Sequence, residues 1–351
     1  MNIDKALDFL KNYDGPQIKL MEVCGTHTAS IAGSGIRSII SPNIKLISGP
    51  GCPVCVTPTS YIDRCIEYSL KNGHALVTFG DMMKVPGASE SLSEAKGRGA
   101  HVELMYSPFE IIEKAVKNIG TTYVIAAVGF ETTAPAYALL LKEAKEKRVG
   151  NIRLVTALKT VAPALAWICE NEEGIDGFIC PGHVSVITGS TEYNELCAKY
   201  GKPFAVAGFE AEHIIACIYD LTLTALGGKS PAVRNLYRSA VKDGGNGKAR
   251  AAIAECFKAG NATWRGIGMI ENSGLYLNDE YSAYEGGSYG LDENKEPVGV
   301  CRCGDVITGR ISPGECPAFG KSCSPTSPVG PCMVSAEGAC GIWFLNGRLE
   351  I

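Results

Sequence analysis

Residues 122–133 read TYVIAAVGFETT, a nearly continuous apolar run that ends in a polar loop containing glycine. The segment that follows, 134–147, has the pattern of an amphipathic helix. A near-continuous apolar strand followed by a helix is typical of a parallel sheet with helices packed on its faces. This stretch therefore predicts an α/β fold.

The same alternation runs from about residue 17 to residue 226. Apolar strand candidates are 18–23, 44–48, 75–79, 101–105, 122–128, 152–157, 176–180 and 204–207. Helix candidates between them are 58–71, 89–97, 108–118, 134–147, 161–171, 190–200 and 210–225. A pattern of this length predicts two parallel-sheet α/β domains that flank a cleft. With a break near 117–121, we expect domains at 1–117 and 118–228, and a smaller helical and loop-rich domain at 229–351.

Polar, glycine-rich loops follow several of the predicted strands. They are CGTHT (24–28), GPGCPVC (49–55), GDMMKVPG (80–87), GFETT (129–133) and PGHVS (181–185). Ligands bind at the carboxyl ends of strands in open α/β sheets, so these loops could meet in one cleft. The alternative is that they are simple turns, which need glycine in any case. Asp81, Glu131 and His183 accordingly either line the cleft or fix the loops by hydrogen bonds.

Composition excludes several classes of protein. The 351-residue chain is 46% apolar and 20% charged, with a net charge of −4, which does not resemble a basic nucleic-acid-binding surface. Apolar runs are shorter than the ~18 residues of a membrane span. The first residues resemble a short amphipathic helix rather than a signal peptide. Fifteen cysteines in a long chain of this kind favour a reducing, cytoplasmic location, where thiols serve metal or redox chemistry.

Most cysteines in helical or apolar stretches are expected to be plain core residues, because buried cysteine behaves as a small hydrophobic side chain. These are Cys65, Cys169, Cys197, Cys217 and Cys256. After residue 228 the pattern changes: 231–243 and 248–260 are predicted helices. From residue 264 the chain is rich in Gly, Pro, Tyr and Cys and lacks a long periodic segment. A covalent or metal link is therefore expected to hold this tail together.

The tail contains six cysteines, at positions 301, 303, 316, 323, 332 and 340. Structural zinc sites prefer two compact cysteine pairs, and here only Cys301 and Cys303 are close in sequence. An iron–sulfur cluster suits the spacing better, since four thiolates from loosely spaced turns can hold a [4Fe–4S] cube. The two remaining cysteines could form a disulfide beside the cluster. Zinc remains the alternative. A tail held by disulfides alone is disfavoured, because the predicted cytoplasmic location is reducing.

Two further cysteine groups lie near the start of the chain. In Cys52-Pro-Val-Cys55, a helix predicted to start near Thr57–Pro58 would favour the thiolate, which supports a redox pair over a zinc half-site. Cys24 ends a predicted strand, with His27 three residues later. Cys24 and His27 could be a nucleophile and its base, two metal ligands, or parts of a turn that caps a helix. The residues alone leave these three possibilities open.

Taken together, the motifs resemble the HypD family of [NiFe]-hydrogenase maturation factors. The resemblance rests on MEVCGTHT, SGPGCPVCVTP, TFGDMMKVPG, VGFETTAP, FICPGHVS, VAGFE and the tail from ECPAFGKSC to GPCMVSAEGAC, in the expected order from about residue 20 to residue 343. The cysteine-bearing motifs show no departure from the family pattern. This resemblance implies a scaffold for assembly of the Fe(CN)2CO unit of the hydrogenase active site. It also implies work with the small chaperone HypC, with HypE delivering the cyanide groups.

The resemblance assigns roles to the cysteines. Cys24 is implied to be the protein thiolate on the iron, with His27 beside it and Cys52 and Cys55 as an exchangeable dithiol next to the iron. The implied ligands of a [4Fe–4S] cluster in an iron–sulfur C-terminal domain are Cys301, Cys316, Cys323 and Cys340. Cys303 and Cys332 are implied to be a second redox pair, in a layout similar to ferredoxin:thioredoxin reductase.

The chemistry expected of this family agrees with those roles. Low-spin iron carrying cyanide and CO prefers soft thiolate donors, and the cyanides need hydrogen-bond donors such as loop N–H groups, threonine hydroxyls or His27. Electrons could pass from the cluster through Cys303–Cys332 to Cys52–Cys55. The protein is then a maturation scaffold with redox-active thiols rather than a conventional turnover enzyme. The rival interpretations are a cluster-dependent disulfide reductase, which gives CGTHT no role, and a zinc-stapled binding module.

Overall fold

The computed structural model describes residues 2–291 and 301–347. Its strands are β1 (Ile18–Glu22), β2 (Ile44–Ser48), β3 (His74–Thr78), β4 (Val102–Leu104), β5 (Thr122–Gly129), β6 (Ile152–Lys159), β7 (Gly177–Cys180), β8 (Phe204–Val206), β9 (Val233–Asn235), β10 (Phe257–Trp264) and β11 (Gly268–Leu277). Its α-helices are α1 (Ile3–Lys11), α2 (Gly25–Gly33), α3 (Ile36–Ile39), α4 (Thr59–Leu70), α5 (Leu92–Gly97), α6 (Glu110–Lys117), α7 (Ala134–Glu146), α8 (Val161–Asn171), α9 (Gly182–Thr188), α10 (Asn194–Tyr200), α11 (Ala211–Ala225), α12 (Gly247–Cys256), α13 (Cys303–Ile307) and α14 (Ala339–Asn346). Short 3₁₀ turns lie at Gly80–Lys84, Ser190–Tyr193, Asp279–Tyr284, Pro313–Glu315 and Pro331–Met333.

The strands form two sheets. The first has the order β2-β1-β7-β8-β9, and all of its neighbours are parallel. The second has the order β10-β11-β6-β5-β3-β4, in which β3 to β6 pair in parallel and β10 and β11 are antiparallel. The prediction of an α/β fold dominated by parallel sheets is confirmed.

Each sheet takes strands from separate parts of the chain. After β2 the chain leaves the first sheet, builds β3 to β6 of the second, and returns to the first sheet at β7. The predicted boundary between residues 117 and 118 therefore falls between β4 and β5, two strands of the same sheet. Hydrophobic periodicity identifies strands but carries no information on which strands become neighbours, because pairing is set by tertiary packing.

The strands and helices predicted before residue 226 are present, with ends shifted by up to about three residues, as is usual for element boundaries. The helix predicted at 231–243 is wrong, because β9 pairs there with β8 and a turn follows. The Asn235 side chain closes that turn: its Oδ1 accepts from the Tyr237 N–H at 3.1 Å and its amide donates to the Val241 carbonyl at 2.9 Å. Asparagine competes with helix formation in this way.

The helix predicted at 248–260 is correct only in part. Helix α12 ends at Cys256, and β10 begins at the next residue. The region after residue 264, where no long periodic segment was expected, contains the ten-residue strand β11 and the helix α14. Both form by packing: β11 pairs with β10 and β6.

The loops that carry the motifs lie at the carboxyl ends of the strands. CGTHT follows β1, GPGCPVC follows β2 and PGHVS follows β7, so these three motifs share one end of the first sheet. CGTHT and PGHVS are not loops as predicted, because they lead into α2 and α9 and form their first turns. A single cluster of buried apolar residues includes side chains from both sheets and from the tail, among them Met21, Val124 and Cys332. The tail is therefore packed into the core that supports the loops. No helix formed by the described residues is long and apolar enough to cross a membrane.

Candidate functional site

Cys24 lies at the end of β1, immediately before the first residue of α2. Its side chain is buried, which raises the pKa of the thiol, whereas the nearby backbone N–H groups of His27 and Thr26 lower it. The nearby carboxylate of Glu337 raises the pKa of Cys24 further. The free thiol is therefore protonated, while N–H groups are already in place for a thiolate. Such a sulfur loses its proton most readily when a metal cation replaces it.

Two glycines allow other segments to approach Cys24 closely. A Cβ on Gly51, in the GPGCPVC loop, would lie 2.5 Å from the backbone nitrogen of Cys24. A Cβ on Gly25 would lie 2.2 Å from the carbonyl oxygen of Glu337, in the tail. Only glycine permits backbone contact at these distances. The Cys24 segment, the GPGCPVC loop and the tail therefore meet at one point.

Cys52 and Cys55 form a disulfide. Both side chains are buried, and the Cys55 N–H donates to the Cys52 sulfur at 3.1 Å. Helix α4 begins at Thr59, close to the predicted start. The pair lies in the same buried cluster as four tail cysteines, so it faces the interior rather than bulk solvent.

His27 is fully buried and holds its ring with one nitrogen. Nε2 lies 3.2 Å from the carbonyl oxygen of Ala207 and 3.1 Å from that of Gly208. Carbonyls only accept, so the proton is assigned to Nε2. Burial lowers the pKa of His27 to about 4, which makes the ring neutral at pH 7. Its single N–H is thus already used, and Nδ1, which has no hydrogen-bond partner within residues 2–291 and 301–347, can accept but cannot donate.

Phe209 connects two of the predicted site residues and was missed by the sequence reasoning. Its ring centroid lies 4.8 Å from that of His27 and 4.2 Å from that of His183. Within this group of three rings, His183 is exposed to solvent and His27 is fully buried. The only sequence signal for Phe209 was the VAGFE segment after β8, which places it at the same sheet edge as His183.

The carboxylates after β3 and β5 differ in their surroundings. Glu131 is buried, accepts from the Val161 N–H at 2.8 Å, and has its pKa raised to about 7 by burial. Glu131 therefore fixes the start of α8. This is the second of the two roles expected for it, a hydrogen bond that fixes a loop. Asp81 is exposed in the Gly80–Lys84 turn.

The six tail cysteines lie close together. The sulfurs of Cys301 and Cys303 are 3.2 Å apart, and hydrogen bonds from the thiols of Cys303 and Cys332 lower the pKa of Cys340. A Cβ on Gly330 would lie 2.5 Å from the Cys301 sulfur and 2.6 Å from the Cys303 sulfur. The remaining two cysteines, Cys316 and Cys323, are buried in the same cluster.

The tail thiols share one region, but their arrangement does not identify a metal. In the part of the chain that the structure describes, no three His, Cys, Asp or Glu side chains are arranged to hold one ion. Six thiols nevertheless share one mostly buried region, where the sulfurs of Cys301 and Cys303 pack directly against Gly330. The Cys303 and Cys332 side chains lower the pKa of Cys340, which favours a thiolate at this position.

A buried ion pair lies two residues before Cys24. The Glu22 carboxylate is buried and pairs with Arg37, and the Ser48 hydroxyl donates to it at 3.1 Å. The Arg37 guanidinium lies over the Trp343 ring of α14 at 5.1 Å. This network connects the strand that carries Cys24 to the last helix of the tail. Glu22 belongs to the MEVCGTHT motif, but the sequence alone did not indicate this structural role.

The chain is similar along nearly its whole length to proteins of one family. A family model, HypD, described as "Hydrogenase formation hypA family", matches residues 2–347. The hydrogenase maturation factor HypD of Escherichia coli is 39% identical over 340 residues, covering 95% of this chain and 90% of that protein. A putative hydrogenase expression/formation protein of Methanocaldococcus jannaschii is 38% identical and covers 99% of this chain and 96% of its own length. The hydrogenase maturation factor HypD of Rhodobacter capsulatus is 38% identical, with coverage of 94% and 89%.

Proposed function

The chain belongs to the HypD family of hydrogenase maturation factors, and on that premise we propose that it is the scaffold on which the Fe(CN)2CO unit of a [NiFe]-hydrogenase is assembled. The observation that carries this proposal is the convergence at Cys24. The disulfide loop approaches Cys24 through Gly51, and the cysteine-rich tail approaches it through Glu337 and Gly25. A thiol for the iron, a redox-active pair and the tail are thus within one small region.

Cys24 is proposed to hold the iron cargo. The iron displaces the thiol proton, and the N–H groups of Thr26 and His27 then stabilise the charge on sulfur. Backbone N–H groups rather than the His27 ring would donate to the bound cyanides, because the ring N–H is bonded to the carbonyls of Ala207 and Gly208. His27 instead fixes the loop after β8 against the Cys24 loop.

We propose that the tail binds a [4Fe–4S] cluster through Cys301, Cys316, Cys323 and Cys340. When bound, such a cluster supplies one-electron transfer. Support comes from the shared buried region of these cysteines and from the hydrogen bonds that favour a thiolate at Cys340. Cys303 contacts both Cys332 and Cys340, so the choice of Cys301 rather than Cys303 as the ligand rests on the family resemblance.

Cys303 and Cys332 are proposed to act as a dithiol that reduces Cys52–Cys55. One thiolate attacks the disulfide, its sulfur–sulfur bond breaks, and the second thiol resolves the mixed disulfide. Cys303 and Cys332 are oxidised to a disulfide, and Cys52 and Cys55 gain two electrons and two protons overall. Support comes from the common buried cluster that contains Cys332, Cys52 and Cys55, against which Cys303 packs. The test is hydrogenase activity in cells that carry the Cys303→Ala variant. Activity equal to that of wild-type cells would contradict this role.

The partners and the location follow from the family and are part of the proposal. We propose that HypC contributes a second thiolate to the iron and that HypE delivers cyanide, in the cytoplasm. A second candidate function, a cluster-dependent disulfide reductase, is favoured by one observation, the Cys52–Cys55 disulfide. That alternative leaves the close approach of Gly51 and Glu337 to the Cys24 loop without a purpose.

The decisive experiment is infrared spectroscopy of the protein copurified anaerobically with its partner, because bound cyanide and CO absorb where protein does not. Cys24→Ala should lose these bands while keeping the iron and sulfide of the tail. Cys169→Ala, which removes a half-buried cysteine outside the site, should keep both. Bands unchanged in Cys24→Ala would overturn the scaffold role. A wild-type complex without such bands but with cluster absorption would favour the disulfide reductase.

A further inference from the structure

A groove runs along the free edge of the first sheet, separate from the thiol site. Its volume is about 480 Å³, and it is lined on one side by the whole of β2. The opposite side is formed by tail residues 309–313, and Trp343 contributes to the lining as well. Because β2 is the outermost strand of its sheet, one of its edges faces this groove.

The hydrogen bonds of β2 show which backbone groups are free. The Asn43 carbonyl accepts from the Ile18 N–H, and the Gly49 N–H donates to the Glu22 carbonyl, so the odd-numbered residues bond β1. In a parallel pair the intervening residues point the opposite way. Leu46 and Ser48 therefore direct their N–H and carbonyl groups outward, where they have no backbone partner among the described residues. An extended peptide could pair with them.

The charge of the groove favours an acidic occupant. Lys19 and Lys45 lie directly opposite each other on β1 and β2, and neither forms an ion pair within residues 2–291 and 301–347. Like charges placed opposite each other are unfavourable, so a carboxylate beside them would relieve the repulsion. Arg37 and Arg310 also line the groove but are paired with glutamates. The acid in the lining, Glu315, caps its own turn and has its pKa lowered by Ser312 and by the charge of Lys45, which leaves two lysines against one carboxylate.

Two groove residues connect the groove to Cys24. Arg37 and Ser48 both hold the buried carboxylate of Glu22, which precedes Cys24 by two residues. Ser48 also ends the strand that leads directly into GPGCPVC. An occupant that pairs with β2 would thus contact the strand end that carries the disulfide loop.

We propose that this groove binds an extended, acidic segment of a partner protein, which adds to the first sheet as a strand beside β2. This mode of recognition uses main-chain hydrogen bonds for affinity and side chains on alternate positions for specificity. It does not depend on the role proposed for Cys24. A second copy of the chain is disfavoured, because edge-to-edge pairing would bring together two β2 strands that each carry an unpaired lysine. A free phosphate would contact the lysines but leave the outward backbone groups unused.

The test uses the full chain and a fluorescein-labelled peptide of alternating threonine and glutamate, followed by fluorescence anisotropy at low salt. Lys45→Glu should weaken binding roughly three- to tenfold, as expected when an exposed charge pair becomes repulsive. Lys5→Glu, at an exposed lysine of α1 without an ion pair among the described residues, should bind as wild type does. Replacing glutamate by glutamine in the peptide should weaken binding to a similar extent.

N-methylated peptides test the strand pairing without changing the protein. Methyl groups on every second amide remove the donors on one edge of the peptide, so one of the two methylation series should lose binding and the other should keep it. Equal loss or equal retention in the two series would overturn the proposal. Equal binding to wild type and Lys45→Glu would overturn it as well.

Two further outcomes would assign the groove to another occupant. Displacement of the peptide by inorganic phosphate, beyond the effect of chloride at matched ionic strength, would make it an anion site. Concentration-dependent dimerisation of the chain alone that Lys45→Glu abolishes would make it an interface between copies. Either result would overturn the acidic-segment proposal.

Discussion

Glu337, in the C-terminal tail, lies directly against Gly25, the residue that follows Cys24. A Cβ added to Gly25 would come within 2.2 Å of the Glu337 carbonyl oxygen and 2.6 Å of its side-chain Cβ. Contact at this distance involves backbone, which cannot rotate away as a flexible side chain can. The position of the tail therefore determines where the Cys24 loop lies, and the reverse also holds.

The first prediction concerns this contact. Gly25→Ala should lower the free energy of unfolding by about 1–3 kcal/mol, because the tail or the start of α2 must move to admit a methyl group. Gly33→Ala, in the same helix with no atom within 4 Å of the added carbon, should be neutral or slightly stabilising. Urea unfolding of the two variants measures the difference. Equal stability of the two variants would show that the tail does not constrain the loop.

The second prediction tests the space beside the tail cysteines. Gly330→Ala would place a methyl group 2.5 Å from the Cys301 sulfur and 2.6 Å from that of Cys303, so the thiols must separate. We expect a several-fold loss of iron and acid-labile sulfide, and of absorption near 400 nm. Gly314→Ala is the matched control, since nothing lies within 4 Å of its added carbon, and it should keep wild-type content. Full iron content in Gly330→Ala would contradict the proposed cluster site.

Most strands and helices before residue 226 followed from sequence, because apolar periodicity is a local property, but the helices α2, α3 and α9 were not predicted. Strand 122–128 is one example: its run of apolar residues is buried on both faces of the second sheet as β5. The helix expected at 231–243 failed because pairing of β9 with β8, together with the side-chain bonds of Asn235, outweighs local preference. Whether such a segment forms a strand depends on the residues with which it pairs, and these cannot be read from the segment itself.

The candidate site was predictable as a set of residues but not as a set of hydrogen bonds. The sequence placed Cys24, Cys52 and Cys55 in loops after parallel strands, which share one end of a sheet. It could not show that His27 uses its N–H on the carbonyls of Ala207 and Gly208, since those lie about 180 residues away along the chain. A longer separation along the chain hid the contact between Arg37 and Trp343, which connects β1 to α14.

The third prediction concerns Lys159, a buried lysine at the end of β6 that is not part of the thiol site. Its ammonium group donates to the Thr263 carbonyl at 2.8 Å and lies 5.5 Å from the Trp264 ring, and burial lowers its pKa to about 7. In the unfolded chain a lysine has a pKa of about 10.4. Between these values the unfolded chain binds more protons, so the free energy of unfolding should rise with pH from about 7 to 10.4.

Lys159→Met should remove that rise. The full effect is on the order of 4 kcal/mol, from ~1.4 kcal/mol for each pKa unit, and relaxation of the folded chain will reduce it. Urea unfolding at a series of pH values measures the slope for the wild type and the variant. Lys5→Met, at an exposed position, should retain the wild-type slope. Identical slopes in wild type and Lys159→Met would mean that the buried ammonium is solvated in a way that the structure does not indicate.

The fourth prediction uses the neutral state of His27. Burial lowers its pKa to about 4 in the folded chain, against about 6.5 in the unfolded chain. As the pH falls from 6.5 to 4, the unfolded chain takes up a proton that the folded chain does not bind. The free energy of unfolding should therefore decrease across this window, by on the order of 3 kcal/mol from this residue alone.

His27→Gln keeps an N–H donor for the carbonyls of Ala207 and Gly208 but cannot be protonated in this range. The variant should therefore lose less stability than the wild type between pH 6.5 and 4, and the difference between the two curves isolates His27 from the carboxylates that titrate over the same range. His74→Gln, outside the site and without an ion pair among the described residues, is the control and should follow the wild type. If the curves of wild type and His27→Gln run parallel, the imidazole is charged or exposed in the folded chain. Its assigned place, as a neutral ring bonded to the loop after β8, would then have to be abandoned.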